Sequence, residues 1–212
     1  MLGSIAGDII GSVYELINYK GTDFPLFDVN SDVTDDSILT LATAVTLLRG
    51  DGDYATAYRS WFWQYPFAGY GRSFHDWAAS DEMGPYHSWG NGSAMRAGPI
   101  GWAFDSLAAT LAEAERSAAV THNHPEGIKG AQSVAGAVFL ARTGSSKEAI
   151  AQWVTATFGY DLSISLDTIR DSYRFDVSCQ GTVPWAVRAL LEGEDFESTV
   201  RLAVSIGGDS DT

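Results

Sequence analysis

Apolar positions along this chain recur mainly at spacings of three and four, the period of a helix with one buried face. In Asp35–Arg49, Ile38, Leu41, Ala42, Val45 and Leu48 fall on one stripe, with Thr34 placed as N-cap and Gly50 as a stop. The same reading predicts helices over Leu107–Val120 after Ser106, Glu126–Arg142 before Gly144, Lys147–Phe158 between Ser146 and Gly159, and Phe196–Ile206 after Asp195. Another is expected over Val183–Glu192, with Thr182 as cap and Pro184 in the first turn. Met1–Tyr14 reads as a helix with Gly3, Gly7 and Gly11 on one face for close packing. On that helix Asp8 and Glu15 lie two turns apart and point the same way. Strand alternation is thin, and Leu162–Leu166 is no better than loop. The expected fold class is all-α, one domain over residues 1–212 with long functional loops.

Composition leaves that picture intact and narrows the partners. Hydrophobic residues are 45 % and charged residues 19 % of the chain, a globular balance that argues against disorder, collagen and coiled coil. Thirteen Lys and Arg against 27 Asp and Glu give a net charge of −14, which repels phosphate backbones and anionic headgroups. No nucleic acid or membrane partner is expected. The single cysteine, Cys179, excludes an internal disulfide and fits a reducing compartment. Met1–Val13 lacks a basic start and carries Asp8, so it is no signal peptide, and no apolar run is long enough to span a bilayer. A cytoplasmic monomer is the expectation.

Of the 26 aromatic residues, 11 lie between Tyr58 and Trp89. They form either a core layer under a long loop or a wall for a flat ligand, and both readings can hold for different residues. Two acidic clusters stand far apart in sequence: Thr34-Asp35-Asp36 at a helix start, and Asp209-Ser210-Asp211-Thr212 after Gly207-Gly208. Each alone is an ordinary helix cap or turn. Together they offer the same kit twice, two carboxylates and a threonine hydroxyl, all hard oxygen ligands suited to a pair of divalent cations. Four such charges meeting without cations would repel by about 4 kcal/mol per pair at 4 Å and an effective dielectric of 20.

The set Gly7-Asp8-Ile9-Ile10-Gly11-Ser12-Val13-Tyr14-Glu15, Thr34-Asp35-Asp36-Ser37, Gly90-Asn91-Gly92-Ser93-Ala94-Met95-Arg96, Thr121-His122-Asn123-His124 and Gly207-Gly208-Asp209-Ser210-Asp211-Thr212 resembles the ADP-ribosylglycohydrolases. The resemblance implies an all-helical fold with two Mg²⁺ or Mn²⁺ in a central cleft. It implies hydrolysis of the bond between ADP-ribose C1″ and an acceptor, on an ADP-ribosylated protein or a small ADP-ribose conjugate, with arginine the first choice of acceptor. By the same resemblance the metal ligands are Thr34, Asp35, Asp36, Asp209, Asp211 and Thr212. Glu15 and Asp36 are the catalytic candidates, Glu15 acting on the water at the metals, with Asp8 either supporting it or serving structurally by hydrogen-bonding a loop or a helix terminus. Gly90, Asn91, Gly92, Ser93 and Met95 belong to a loop around the diphosphate, and His122 lines the same pocket. The glycines there can turn N–H groups inward, and a helix starting near Ser93 would add its positive end. Arg96 is open between donating to phosphate and bracing a carboxylate, and His122 and His124 are candidate donors to phosphate or ribose.

Ser37 departs from the family pattern, where Thr is more usual. Family members also continue into a further helix after the last motif. That segment is expected to be missing here, leaving Asp211 and Thr212 on a fraying end. The competing readings are a non-hydrolytic ADP-ribose-binding or structural protein on the same fold, and a binuclear phosphohydrolase.

Overall fold

The computed structural model describes residues 1–212 as a helical assembly without strands. Its helices are α1 (Leu2–Gly11), α2 (Asp35–Arg49), α3 (Tyr54–Gln64), α4 (Arg72–Ala78), α5 (Gly92–Met95), α6 (Ile100–Ala103), α7 (Leu107–Ala119), α8 (Pro125–Arg142), α9 (Lys147–Phe158), α10 (Leu166–Ile169), α11 (Cys179–Glu192) and α12 (Phe196–Ser205). Most boundaries follow from caps legible in the sequence. Thr34, Ser106, Ser146 and Asp195 each accept a backbone N–H of the first turn, and Gly50 and Gly159 close α2 and α9 in the left-handed conformation. No helix is long and apolar enough to cross a membrane.

Helix α8 is the central post, packed against α5, α6, α7, α9 and α11. Its small residues Ala131 and Ala135 are fully buried with Ala97, Ile100, Ala114 and Ala118, which lets the surrounding helices approach closely. A second core joins α2 to α3 and α4 through Leu39, Tyr54, Tyr58, Phe62, Phe74 and Trp77. The only pairing of extended backbone is a single antiparallel bridge, Gly90 to Ser178, which ties the glycine-rich loop to the start of α11.

Three expectations change. Helix α1 ends at Gly11, and Glu15 begins a separate 3₁₀ turn, Glu15–Ile17, closed by left-handed Asn18. Asp8 and Glu15 therefore share no helix face. Helix α11 starts four residues before the expected Val183: Ser178, not Thr182, is its cap and accepts the Gly181 N–H, while Pro184 sits inside the helix. The aromatic stretch contains two helices, α3 and α4, whose rings build core, so the long-loop description fails over most of it. The glycine stripe on α1 works only in part. Gly7 faces open space, but a Cβ on Gly11 would stand 1.9 Å from the Ser210 carbonyl oxygen, so the bare helix end admits the C-terminal loop.

Candidate active site

Both acidic clusters line one cavity of about 420 Å³, together with Glu15, the Gly90–Gly92 backbone and His122. The two clusters are held there by different means. Thr34 caps α2, accepting the Asp36 N–H at 3.2 Å, so Asp35 and Asp36 occupy the first helical turn. Beneath them the buried Asp8 accepts the Thr34 N–H at 3.1 Å, the Ser37 N–H at 3.0 Å and the Thr34 hydroxyl at 2.8 Å. Asp8 is thus the clamp on the N-terminus of α2.

The second cluster rides on a loop. Gly207 and Gly208 both adopt positive φ, 68° and 82°, a path closed to most side chains. The Gly208 N–H donates to Asn18 Oδ1 at 3.1 Å, Lys20 Nζ donates to the Ile206 carbonyl, and the Ser210 hydroxyl donates to the Gly11 carbonyl at 2.9 Å. Asp209 accepts from Asn91 Nδ2 at 2.7 Å. Asp211 and Thr212 are half-buried and line the cavity beside these contacts.

The electrostatics of this cleft are one-sided. Burial raises the pKa of Asp35 to about 7, with Asp211 the largest charged contributor. Asp211 also reaches about 7, through burial and then Asp209. Asp36 is pushed well above the ordinary range by burial, then by Asp211 and Asp35, and Asp209 is raised by burial too. Glu15 is raised by burial and by Asp211. No Lys, Arg or His forms a salt bridge with any of these five carboxylates. Oxygens of Glu15, Asp209 and Asp211 lie within 4.8 Å of one another, and Asp211 Oδ1 is buried with no hydrogen-bond partner. A buried carboxylate oxygen without a donor, in a cavity lined by oxygen ligands and lacking a paired base, fits divalent cations.

The other expected residues divide. Gly90, Gly92, Met95 and His122 face the cavity. Asn91 lines it too, but its amide is committed to Asp209 and Thr182. Ser93 turns away: it is fully buried and its hydroxyl donates to the Gly127 carbonyl at 2.7 Å. The helix it opens, α5, has only four residues. His124 caps α8, its Nδ1 accepting the Glu126 N–H at 3.1 Å, and does not reach the cavity. Arg96 lines the cavity but is wholly buried and braces no carboxylate; it donates to Ser117 and Thr121 with its guanidinium over the Tyr58 ring, and its Nε and Nη1 have no partner. Sequence reasoning missed Arg72, Phe175 and Val177, which also line the cavity. Arg72 had a signal, as one of two arginines within the aromatic stretch, while the other two had none. Phe74 and Tyr86 give the aromatic stretch its share of the wall.

Comparison with known proteins agrees with this geometry. The model of the family described as ADP-ribosylglycohydrolase matches residues 1–212. A solved structure described as an ADP-ribosylglycohydrolase-related protein complex superposes with a TM-score of 0.75 at 27 % identity, covering 100 % of this chain and 80 % of that one. No curated protein matches the sequence.

Proposed function

The chain belongs to the ADP-ribosylglycohydrolase family and is a hydrolase of glycosidic bonds; from that premise we propose that it frees ADP-ribose from modified arginine side chains in a reaction dependent on two divalent cations, Mg²⁺ or Mn²⁺. The observation that carries this reading is the convergence of residues 34–36 and 209–212 on one cavity whose carboxylates have no basic partner. Arginine as the acceptor rests on the family resemblance alone.

Thr34, Asp35, Asp36, Asp209, Asp211 and Thr212 would hold the cations. When bound, they supply Lewis-acid polarisation of ribose hydroxyls and of a nearby water. The chain's own groups do the rest. Asp36 and Glu15 flank the reacting centre, and Glu15 takes the proton of the attacking water at its carboxylate. Water oxygen bonds to C1″, the C1″–N bond breaks through an oxocarbenium-like state, and the proton taken up by Glu15 returns to the acceptor nitrogen as it leaves. Gly90 and Gly92 offer bare backbone to the diphosphate, His122 donates from its ring, and Met95, Phe74 and Tyr86 form the apolar side.

The test is to mix the protein with ADP-ribosyl-arginine and follow release of free ADP-ribose. EDTA should abolish release, and Mg²⁺ or Mn²⁺ should restore it. Turnover that persists without metal would remove the basis of the proposal. Release of phosphate or AMP would identify a phosphohydrolase instead. A panel of arginine, serine and O-acetyl conjugates should show the arginine N-glycoside turned over fastest.

A further inference from the structure

His122 is 4 % exposed and lies against the glycine-rich loop. Its Nε2 stands 3.1 Å from where a Cβ on Gly92 would be and 3.5 Å from where one on Gly90 would be. This nitrogen therefore faces the bare backbone on the loop side of the cleft. The other ring nitrogen, Nδ1, is 2.7 Å from Thr121 Oγ1.

A third group indicates which of these two atoms owns the proton. Arg96 donates from Nη2 to the same Thr121 oxygen at 2.8 Å, and a guanidinium can only donate. Arg96 is held in place: its guanidinium carbon sits 4.2 Å from the Tyr58 ring centroid, and the Tyr58 hydroxyl is within 2.7 Å of Ser117 Oγ. Thr121 is fully buried. Were Nδ1 protonated, the Thr121 oxygen would receive two donors, and its own hydrogen would have to turn to the Tyr86 phenol beside it, a weaker acceptor than an imidazole nitrogen. With the hydroxyl donating to Nδ1, the chain runs one way, Arg96 to Thr121 to His122, and the ring's single hydrogen is left on Nε2.

We propose that Thr121 and Arg96 are positioning residues that fix His122 as the neutral Nε2–H tautomer and present that N–H to the Gly90–Gly92 side of the cleft, as a donor to an anionic oxygen of the bound ligand. The identity of that oxygen, a phosphoryl oxygen of ADP-ribose, rests on the function proposed above; the tautomer is a property of the protein alone. Burial and the Arg96 cation both hold the His122 pKa well below its ordinary value, so the ring stays neutral at neutral pH.

The experiment is a long-range ¹H–¹⁵N spectrum of protein labelled with ¹⁵N-histidine, the His122 signals being assigned by their loss in His122→Asn. Nδ1 should resonate as an unprotonated nitrogen and Nε2 as a protonated one. The reverse pattern, which would arise if the Thr121 hydroxyl were turned to the Tyr86 phenol, overturns the proposal, as does an averaged mixture of tautomers. Thr121→Val keeps the shape and deletes the hydroxyl. It should mix the tautomers and raise KM for ADP-ribosyl-arginine about tenfold, with kcat within about twofold. Thr121→Ser should restore both. An unchanged tautomer and KM in Thr121→Val overturn the proposal, and if that variant does not fold, the wild-type spectrum decides alone. The expected spectrum in a protein that releases no ADP-ribose would uphold the relay and sink the functional reading, so the two failures are distinguishable.

Discussion

The two halves of the acidic cleft carry the same donors and are built in opposite ways. Thr34, Asp35 and Asp36 stand on the first turn of a 15-residue helix, clamped from below by one buried carboxylate. Asp209, Asp211 and Thr212 stand on no element; their loop is fixed by contacts from Gly11, Asn18, Lys20 and Asn91. A helix start makes its side chains rigid through local hydrogen bonds, whereas the loop borrows rigidity from residues far away in sequence. Damage to the first half should therefore show in stability, and damage to the second in affinity.

The strongest way to break this contrast is Asp8→Ala. It leaves the Thr34 and Ser37 N–H groups and the Thr34 hydroxyl without their acceptor at the mouth of α2. The expected cost is about 4 kcal/mol, since donors to a charged acceptor are left unmade in a buried place. For a chain of this size that is a fall of about 10 °C in Tm by calorimetry. A shift near zero would mean that the helix start holds itself.

Asn91→Ala probes the other half. It removes the amide that Asp209 accepts from at 2.7 Å, on a residue whose side chain caps no helix. The metal concentration for half-maximal activity should rise about tenfold, the usual cost of losing an outer support of a ligand, with Tm nearly unchanged. An equal loss of Tm would erase the distinction between the halves.

The third test is a pH slope in EDTA. Asp35 and Asp211 have folded pKa values of about 7, above their unfolded ones, so the native state binds more protons than the unfolded state between about 4 and 7. Their contribution to stability is then fully present below that window and lost as pH rises through 7. Asp211 raises both Asp35 and Asp36 across the cleft, so Asp211→Asn should flatten the slope from both sides at once. Denaturant melts at several pH values measure this, and a slope untouched by Asp211→Asn would show that the halves do not interact.

How much of this was legible in the sequence follows from what sequence patterns encode. Caps are local, so Thr34, Ser106, Ser146, Asp195, Gly50 and Gly159 marked their helix ends correctly. The start of α11 was misplaced because Pro184 favours a first turn by its own geometry, while Ser178 and the bridge from Gly90 decide the matter through tertiary contact. Helices α3 and α4 were hidden because aromatic rings on several faces blur the helical period. Both acidic clusters, Glu15, Gly90, Gly92, Met95 and His122, which the motifs single out, line one cavity. What no motif states is where a side chain turns. Ser93 and His124 sit inside the expected motifs, yet they secure α8 through Gly127 and Glu126.

The loop built on Gly207 and Gly208 also sets a schedule for folding. Ser210 meets Gly11 across 199 residues, and Asn91 meets Asp209 across 118. Closures of that span come after nearby helices have paired, because entropy opposes bringing distant segments together. A chain emerging from the ribosome can complete its first acidic turn early, yet the cavity lined by both acidic clusters is not complete until the last of these contacts closes. Catalytic competence should thus arrive as the final event of folding, and refolding followed by activity should lag behind refolding followed by helix content.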